Sequence, residues 1–209
     1  MDDFAISIDL PVFKAYYPIV TQTSATVGTP PKVKYTVTMS DPGGSLGNEL
    51  DSWVTELKNL DPSYTTCCIQ MSHALNMSFH TTDPTKMVGN KSYRRPTRKF
   101  KIQAAANKEF HYIASVDEMK EFLDTTFETG EEISRLGNGK VASRAESRSA
   151  ILNRPGIVCF MNNQFAGLHT EVWTGFDWHQ DWMKGRMDPF DWRPLWFWDM
   201  GVVRGLPMV

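Results

Sequence analysis

Residues 156–160 read GIVCF, an unbroken apolar run of strand length, and residues 168–173 return as LHTEVW, where apolar and polar positions alternate. The turn signal Asn162-Asn163 stands between them. Two such runs joined by turn chemistry predict an antiparallel hairpin.

The flanking segments supply the packing. ELDSWVTELKN (49–59) places Leu50, Trp53, Val54 and Leu57 on one helical face, after the turn-rich SDPGGSLGN and before the stop LDP. A second helix is expected from about Thr66 to Ser78. A third follows the capping box of Ser115 and Glu118, with Val116, Met119, Phe122 and Leu123 behind it and Gly130 at its end. KVKYTVTM, KFKIQA and EFHYIA read as strands, residues 1–40 as extended chain, and residues 131–150 as a loop or short exposed helix. The order predicts an α+β fold with helices on one side of an antiparallel sheet. One domain over 1–209 is expected, with an extended segment at 1–42, a central region at 43–183 and a Trp-rich tail at 184–209.

A net charge of −2 argues against wholesale nucleic-acid binding. No stretch has the roughly 20 apolar residues of a membrane span, and the acidic start MDDFAISIDLPVF is no secretory signal peptide. Export, if it occurs, needs another route. With three cysteines, two of them adjacent, no even disulfide framework exists, so unbridged thiols are expected.

One of those thiols has a chemical setting. Met71, Ala74 and Leu75 lie four, seven and eight positions after Cys67, which puts Cys67 on the stripe facing the sheet and turns Cys68 away. Thr65 or Thr66 can cap the helix, leaving Cys67 in the first turn, where the helix dipole favours thiolate over thiol. A thiolate nucleophile needs a base with a third group to orient it. Of five histidines, His73 points off the Cys67 face, His80 and His111 have no carboxylate at a telling spacing, and His179 lies within the turn TGFDWHQ. His169 opens an alternating strand, shares a face with Glu171, and is followed by Asp177 and Asp181.

These segments resemble the type VI secretion amidase effectors of family four. CCIQMSHALN is similar to that family's cysteine motif, and GIVCF with GLHTEVWTG to its histidine motif. FHYIASVDEMKEFL resembles its tyrosine-bearing strand and next helix, and GGSLGNEL the segment before the cysteine helix. The likeness spans about residues 43–183. It implies a papain-like, NlpC-type amidase, with the histidine on a central strand opposite a helix-start cysteine and no cofactor or metal. The implied substrate is bacterial cell-wall peptidoglycan, cut between D-glutamate and meso-diaminopimelate. The implied partners are an immunity protein and a component of the secretion apparatus. Such an enzyme is made in the cytoplasm and acts in the periplasm or on the wall of a target bacterium.

By the same resemblance Cys67 is the nucleophile and His169 the base. The family's aspartate falls eleven residues after its histidine; Gln180 occupies that offset here, so one inserted residue brings Asp181 into place, with Asp177 the competitor and Glu171 the outsider. Gln70 replaces a usual arginine. Two other readings stay open: a papain-like deamidase or acyltransferase acting on proteins, and an inactive binding homologue. Two features fall outside the motifs. The basic segment 81–101 reads as a solvated loop. Six of seven tryptophans lie between Trp173 and Trp198, a density expected of a tail folded back over the sheet, with a sugar-stacking platform or partner surface as the alternative.

Overall fold

A computed structural model describes residues 6, 10–41, 46, 48–60, 66–89, 98–102, 108–161, 169–180, 189–191 and 193–201. The chain forms two compact units, Phe13–Glu118 and Met1–Val12 with Met119–Val209. The secondary structure is α+β, and the strands of the described residues form three antiparallel sheets.

Helix α1 (Leu10–Ala15) appears where only extended chain is expected; Pro11 in its first turn suits a helix start. In the unit Phe13–Glu118, β1 (Ile19–Val27) and β2 (Lys32–Ser40) form a ribbon, and α2 (Asn48–Leu60) lies along β2. Leu50, Trp53, Val54 and Leu57 of α2 are buried as their spacing predicts. The polar residues Asp51, Thr55 and Asn59 do something the spacing did not announce. Met39 N–H donates to Asp51 Oδ1 (2.7 Å), Val37 N–H to Thr55 Oγ1 (3.0 Å) and Tyr35 N–H to Asn59 Oδ1 (2.8 Å). Thr55 Oγ1 and Asn59 Nδ2 donate back to the carbonyls of Val37 and Tyr35. Four helical residues rise about 6.0 Å and two strand residues about 6.7 Å, so the two repeats stay matched over three rungs. The helix thereby acts as a third strand for β2.

Helix α3 (Cys67–Phe79) is buried along its whole length. Its Ile69 and Met77 join Phe110 and Tyr112 of β4 (Lys108–Tyr112) and the apolar face of α2 in one core cluster. Strand β4 pairs with β3 (Arg98–Ile102), so the basic segment read as loop ends in a strand; residues 90–97 lie outside the described residues.

Helix α4 (Val116–Thr126) begins directly after Ser115, as the capping box predicts. In the other unit, β5 (Glu131–Glu132), β6 (Gly156–Phe160), β7 (His169–Trp173) and β8 (Leu195–Asp199) form an antiparallel sheet in the order β5-β8-β6-β7. The predicted hairpin is present, Phe160 facing His169 and Gly156 facing Trp173, and its Asn162-Asn163 turn lies outside the described residues. Part of the Trp-rich stretch enters the sheet rather than covering it: Leu195–Asp199 supplies β8, between β5 and β6, while Phe190 packs on the sheet face with Trp173 and Trp178. Gly156 makes that insertion possible, because a Cβ there would run into the Phe197 ring and the Trp198 carbonyl of β8. Val158, Phe160, Trp173, Trp178, Phe190, Leu195 and Phe197 pack together on one face. Helix α5 (Arg144–Ala150) carries a complete Ser143–Glu146 capping box.

Candidate active site

Cys67 is the first residue of α3, as predicted. The first helical bond runs from Gln70 N–H to Thr66 O (2.9 Å), so Cys67 sits in the opening turn, where backbone N–H groups point along the axis. Thr66 does not cap with its side chain. Its backbone is already near-helical (φ −82°, ψ −13°) and its hydroxyl donates to Gln70 Oε1 (3.1 Å). Thr65 lies outside the described residues. Gln70, the neutral substitute for arginine, is buried and donates to the Pro18 carbonyl (2.7 Å), tying the β1 entry to α3. Cys67 is buried at 2% exposure with its sulfur 4.0 Å from that of Cys68, and none of the three cysteines is in a disulfide.

The rest of α3 braces its unit. Ser72 Oγ donates to Cys68 O and accepts from Ile113 N–H (3.0 Å), and Asn76 joins His111 O to Val88 N–H. His73 is fully buried, with Nδ1 2.9 Å from the Tyr112 hydroxyl and Nε2 3.9 Å from Asp41 Oδ2. Burial lowers the His73 pKa, and the Asp41 carboxylate works against that. Burial also pushes the Tyr112 hydroxyl up, the Asp41 charge adding to it. A hydroxyl that keeps its proton fits donation to Nδ1, with the ring N–H at Nε2 toward Asp41. Sequence reasoning set His73 aside by helical angle and did not foresee this group; its signal was a set of polar residues, Ser72, His73 and Asn76, inside a helix with apolar flanks.

His169 opens β7, which is an edge strand of the described sheet rather than a central one. Its ring stacks on Phe160 (centroids 5.6 Å, 25°), and Nε2 lies 3.5 Å from Glu171 Oε2. Glu171 is fully buried, and its Oε1 accepts from Val172 N–H (2.8 Å). The two residues share a face because they are two apart in a strand. Among the described residues, Glu171 is thus a carboxylate that lies beside His169. Asp177 is exposed, and its Oδ1 accepts from Trp178 N–H (2.8 Å), holding the turn after β7. Asp181 lies outside the described residues. Cys67 belongs to one unit and His169 with Glu171 to the other. His80 Nδ1 lies 2.7 Å from Met77 O, and His179 N–H pairs with Val172 O. Among the described residues no group of three or more His, Cys, Asp or Glu could hold a metal ion, and no helix is long and apolar enough to cross a membrane.

A cysteine opening a buried helix and a histidine–carboxylate pair on a strand are the residue types with which cysteine hydrolases work. The family profile of the type VI secretion system (T6SS) amidase effector protein 4, Tae4, matches residues 64–198. The chain belongs to this family of amidase effectors. Among solved structures it is similar to a chain of the Tae4–Tai4 effector–immunity complex from Enterobacter cloacae, at 18% identity over 71% of this chain and 82% of that one, with a TM-score of 0.46. It is also similar to a chain of the Tae4/Tai4 system from Salmonella typhimurium, at 19% identity over 76% of this chain and 85% of that one, TM-score 0.44. Tae4 from Enterobacter cloacae determined by itself matches at 15% identity over 71% and 80%, TM-score 0.44. No curated protein matches the chain in sequence.

Proposed function

We propose that this chain is a papain-like cysteine amidase that hydrolyses the stem peptides of bacterial peptidoglycan, at the bond between D-glutamate and meso-diaminopimelate. The observation that carries the reading is Cys67 at the first position of α3, inside the stretch that matches the amidase family. Cys67 is assigned as nucleophile and His169 as base. The orienting carboxylate is assigned to Glu171, on the 3.5 Å approach to His169 Nε2. That distance is longer than a hydrogen bond, and such contacts are often long before substrate binds. Nδ1 is then the nitrogen that takes the thiol proton. Asp181 is the alternative third residue, supported by the family offset.

The thiolate attacks the peptide carbonyl carbon, and the Cys67 backbone N–H donates to the oxyanion that forms. The imidazolium returns its proton to the leaving nitrogen as the C–N bond breaks. Water, deprotonated by His169, then attacks the thioester, releasing the carboxylic acid and restoring the thiol. Delivery by a type VI apparatus would bring this activity into a target bacterium. An immunity protein that inhibits the enzyme is proposed as its partner in the producer, as Tai4 accompanies Tae4 in the solved complexes.

Incubation with purified sacculi and mass spectrometry of the released fragments tests the reading. Replacing Cys67 by Ala is expected to cut fragment release at least about a thousandfold, while Cys68→Ala leaves it largely intact. Undiminished release by the Cys67→Ala protein overturns the assignment. Fragments without a new D-glutamate terminus overturn the bond.

A further inference from the structure

The Trp-rich stretch is only partly absorbed by the core. Of its described tryptophans, Trp173, Trp178 and Trp198 are buried, and Trp196 is half-buried. Trp196 lines a groove of about 320 Å³ together with Glu132, Ser134, Arg135, Arg193 and Pro194. Sheet register separates this groove from His169. His169 faces Phe160, and Phe160 faces Leu195, so Trp196, one residue along β8, points to the opposite face, two strands away.

The groove is built, not incidental. The Lys120 ammonium, held by Asp124 at 2.5 Å, sits 4.0 Å from the Trp196 ring centroid and fixes one face of the indole. Glu132 faces Trp196 across the β5–β8 pair. Its Oε1 accepts from Arg135 Nε (3.0 Å) and from the Ser134 hydroxyl, which itself accepts from Leu195 N–H. The Arg135 side chain remains 57% exposed. An anchored indole beside a carboxylate–guanidinium pair suits a pyranose ring: C–H groups lie on the aromatic face, while hydroxyl and acetamido groups bond to the polar rim.

We propose that this groove binds the glycan strand of peptidoglycan, holding the protein on the polymer whose stems it cuts. The biological ligand rests on the amidase reading; the sugar chemistry rests on the groove alone.

The test uses the full chain carrying Cys67→Ala, titrated with a peptide-free tetrasaccharide of alternating N-acetylglucosamine and N-acetylmuramic acid and followed by indole N–H resonances. Saturable shifts of the Trp196 resonance, identified with Trp196→Phe, are expected. Trp196→Leu should weaken binding at least about tenfold, and Arg135→Ala, on the surface, several-fold with an unchanged melting temperature. With Cys67 restored, Trp196→Leu should slow release from sacculi and leave turnover of a soluble stem peptide near that of the unaltered chain. A Trp196 resonance that moves only with stem peptide, or undiminished sugar binding by the Arg135→Ala protein, overturns the proposal. If the unaltered chain cuts neither stem peptide nor sacculi, the amidase reading fails, and the titration still decides the groove.

Discussion

The two units hold their interiors together by different means, and each contains a buried histidine beside a carboxylate. Around α3, polar side chains join the elements beside an apolar cluster. Gln70, Ser72, His73 and Asn76 are all buried, and each bonds a carbonyl, an amide or a hydroxyl. His73 and Asp41 belong to that scheme, with Tyr112 on the other ring nitrogen. Around β6 and β8 the interior is aromatic, with Phe160, Trp173, Trp178, Phe190 and Phe197 in one cluster. Among the described residues buried there, Ser134, Ser147 and Thr170 are small and polar, and His169 with Glu171 is the histidine–carboxylate pair. Burying a carboxylate among apolar groups costs several kcal/mol unless a partner offsets it. In the first setting a histidine–carboxylate pair is one brace among several; in the second it is the pair to which the proposed chemistry is assigned.

The largest expected effect separates the two pairs. Glu171→Gln should lower fragment release by between about tenfold and 10⁴-fold, the range from a modest to a full loss of an orienting acid. Asp41→Asn should leave release near normal and reduce stability by about 1–3 kcal/mol, read by denaturant titration. If Asp41→Asn silences the enzyme and Glu171→Gln does not, the contrast is inverted. A greater loss with Asp181→Asn than with Glu171→Gln moves the orienting role to Asp181.

Next in size is Gly156→Ala, which asks β8 to move away from β6 and should cost about 1–3 kcal/mol in overpacking. Tyr112→Phe removes the hydroxyl at His73 Nδ1 and should cost about 1 kcal/mol. The smallest effect is in pH. Burial lowers the folded pKa of His73 from 6.5, so on acidification the unfolded chain takes up the proton first. Its contribution to stability is full above 6.5 and is lost as pH falls from there toward the folded value. The melting temperature should drop between about pH 7.5 and 5, less steeply in a His73→Gln protein. An equal slope in both would remove His73 from the account.

Much of this was readable in the residues. The helical stripe of α2, the hairpin of GIVCF and HTEVW, and the helix start at Cys67 follow from periodicities that tertiary packing did not override. His169 was singled out by its strand position, and Glu171 lies on the same strand face, two residues on. The family's fixed offset pointed to Asp181, which lies outside the described residues. The insertion of β8 was not legible, because an aromatic-rich run signals burial without naming the layer it joins. Nor was the Asp41–His73–Tyr112 group, whose members come from a turn, a helix and a strand far apart in sequence. The capping box at Ser143 was within reach of the pattern that identified the one at Ser115, yet its helix is only seven residues long with one buried residue, too short for a clear apolar stripe.

The ladder between α2 and β2 bears on how the protein can be trimmed. The family match begins at residue 64, which invites removal of everything before it. Such a cut would discard α2 together with the ribbon and strip Ile69, Met77, Phe110 and Tyr112 of the layer packed against them. Cutting only the ribbon would leave Asp51, Thr55 and Asn59 as a row of polar groups with their strand gone. Residues 13–40 are thus masonry for the wall behind the cysteine helix, and a shortened enzyme would be expected to lose solubility before its chemistry could be assayed.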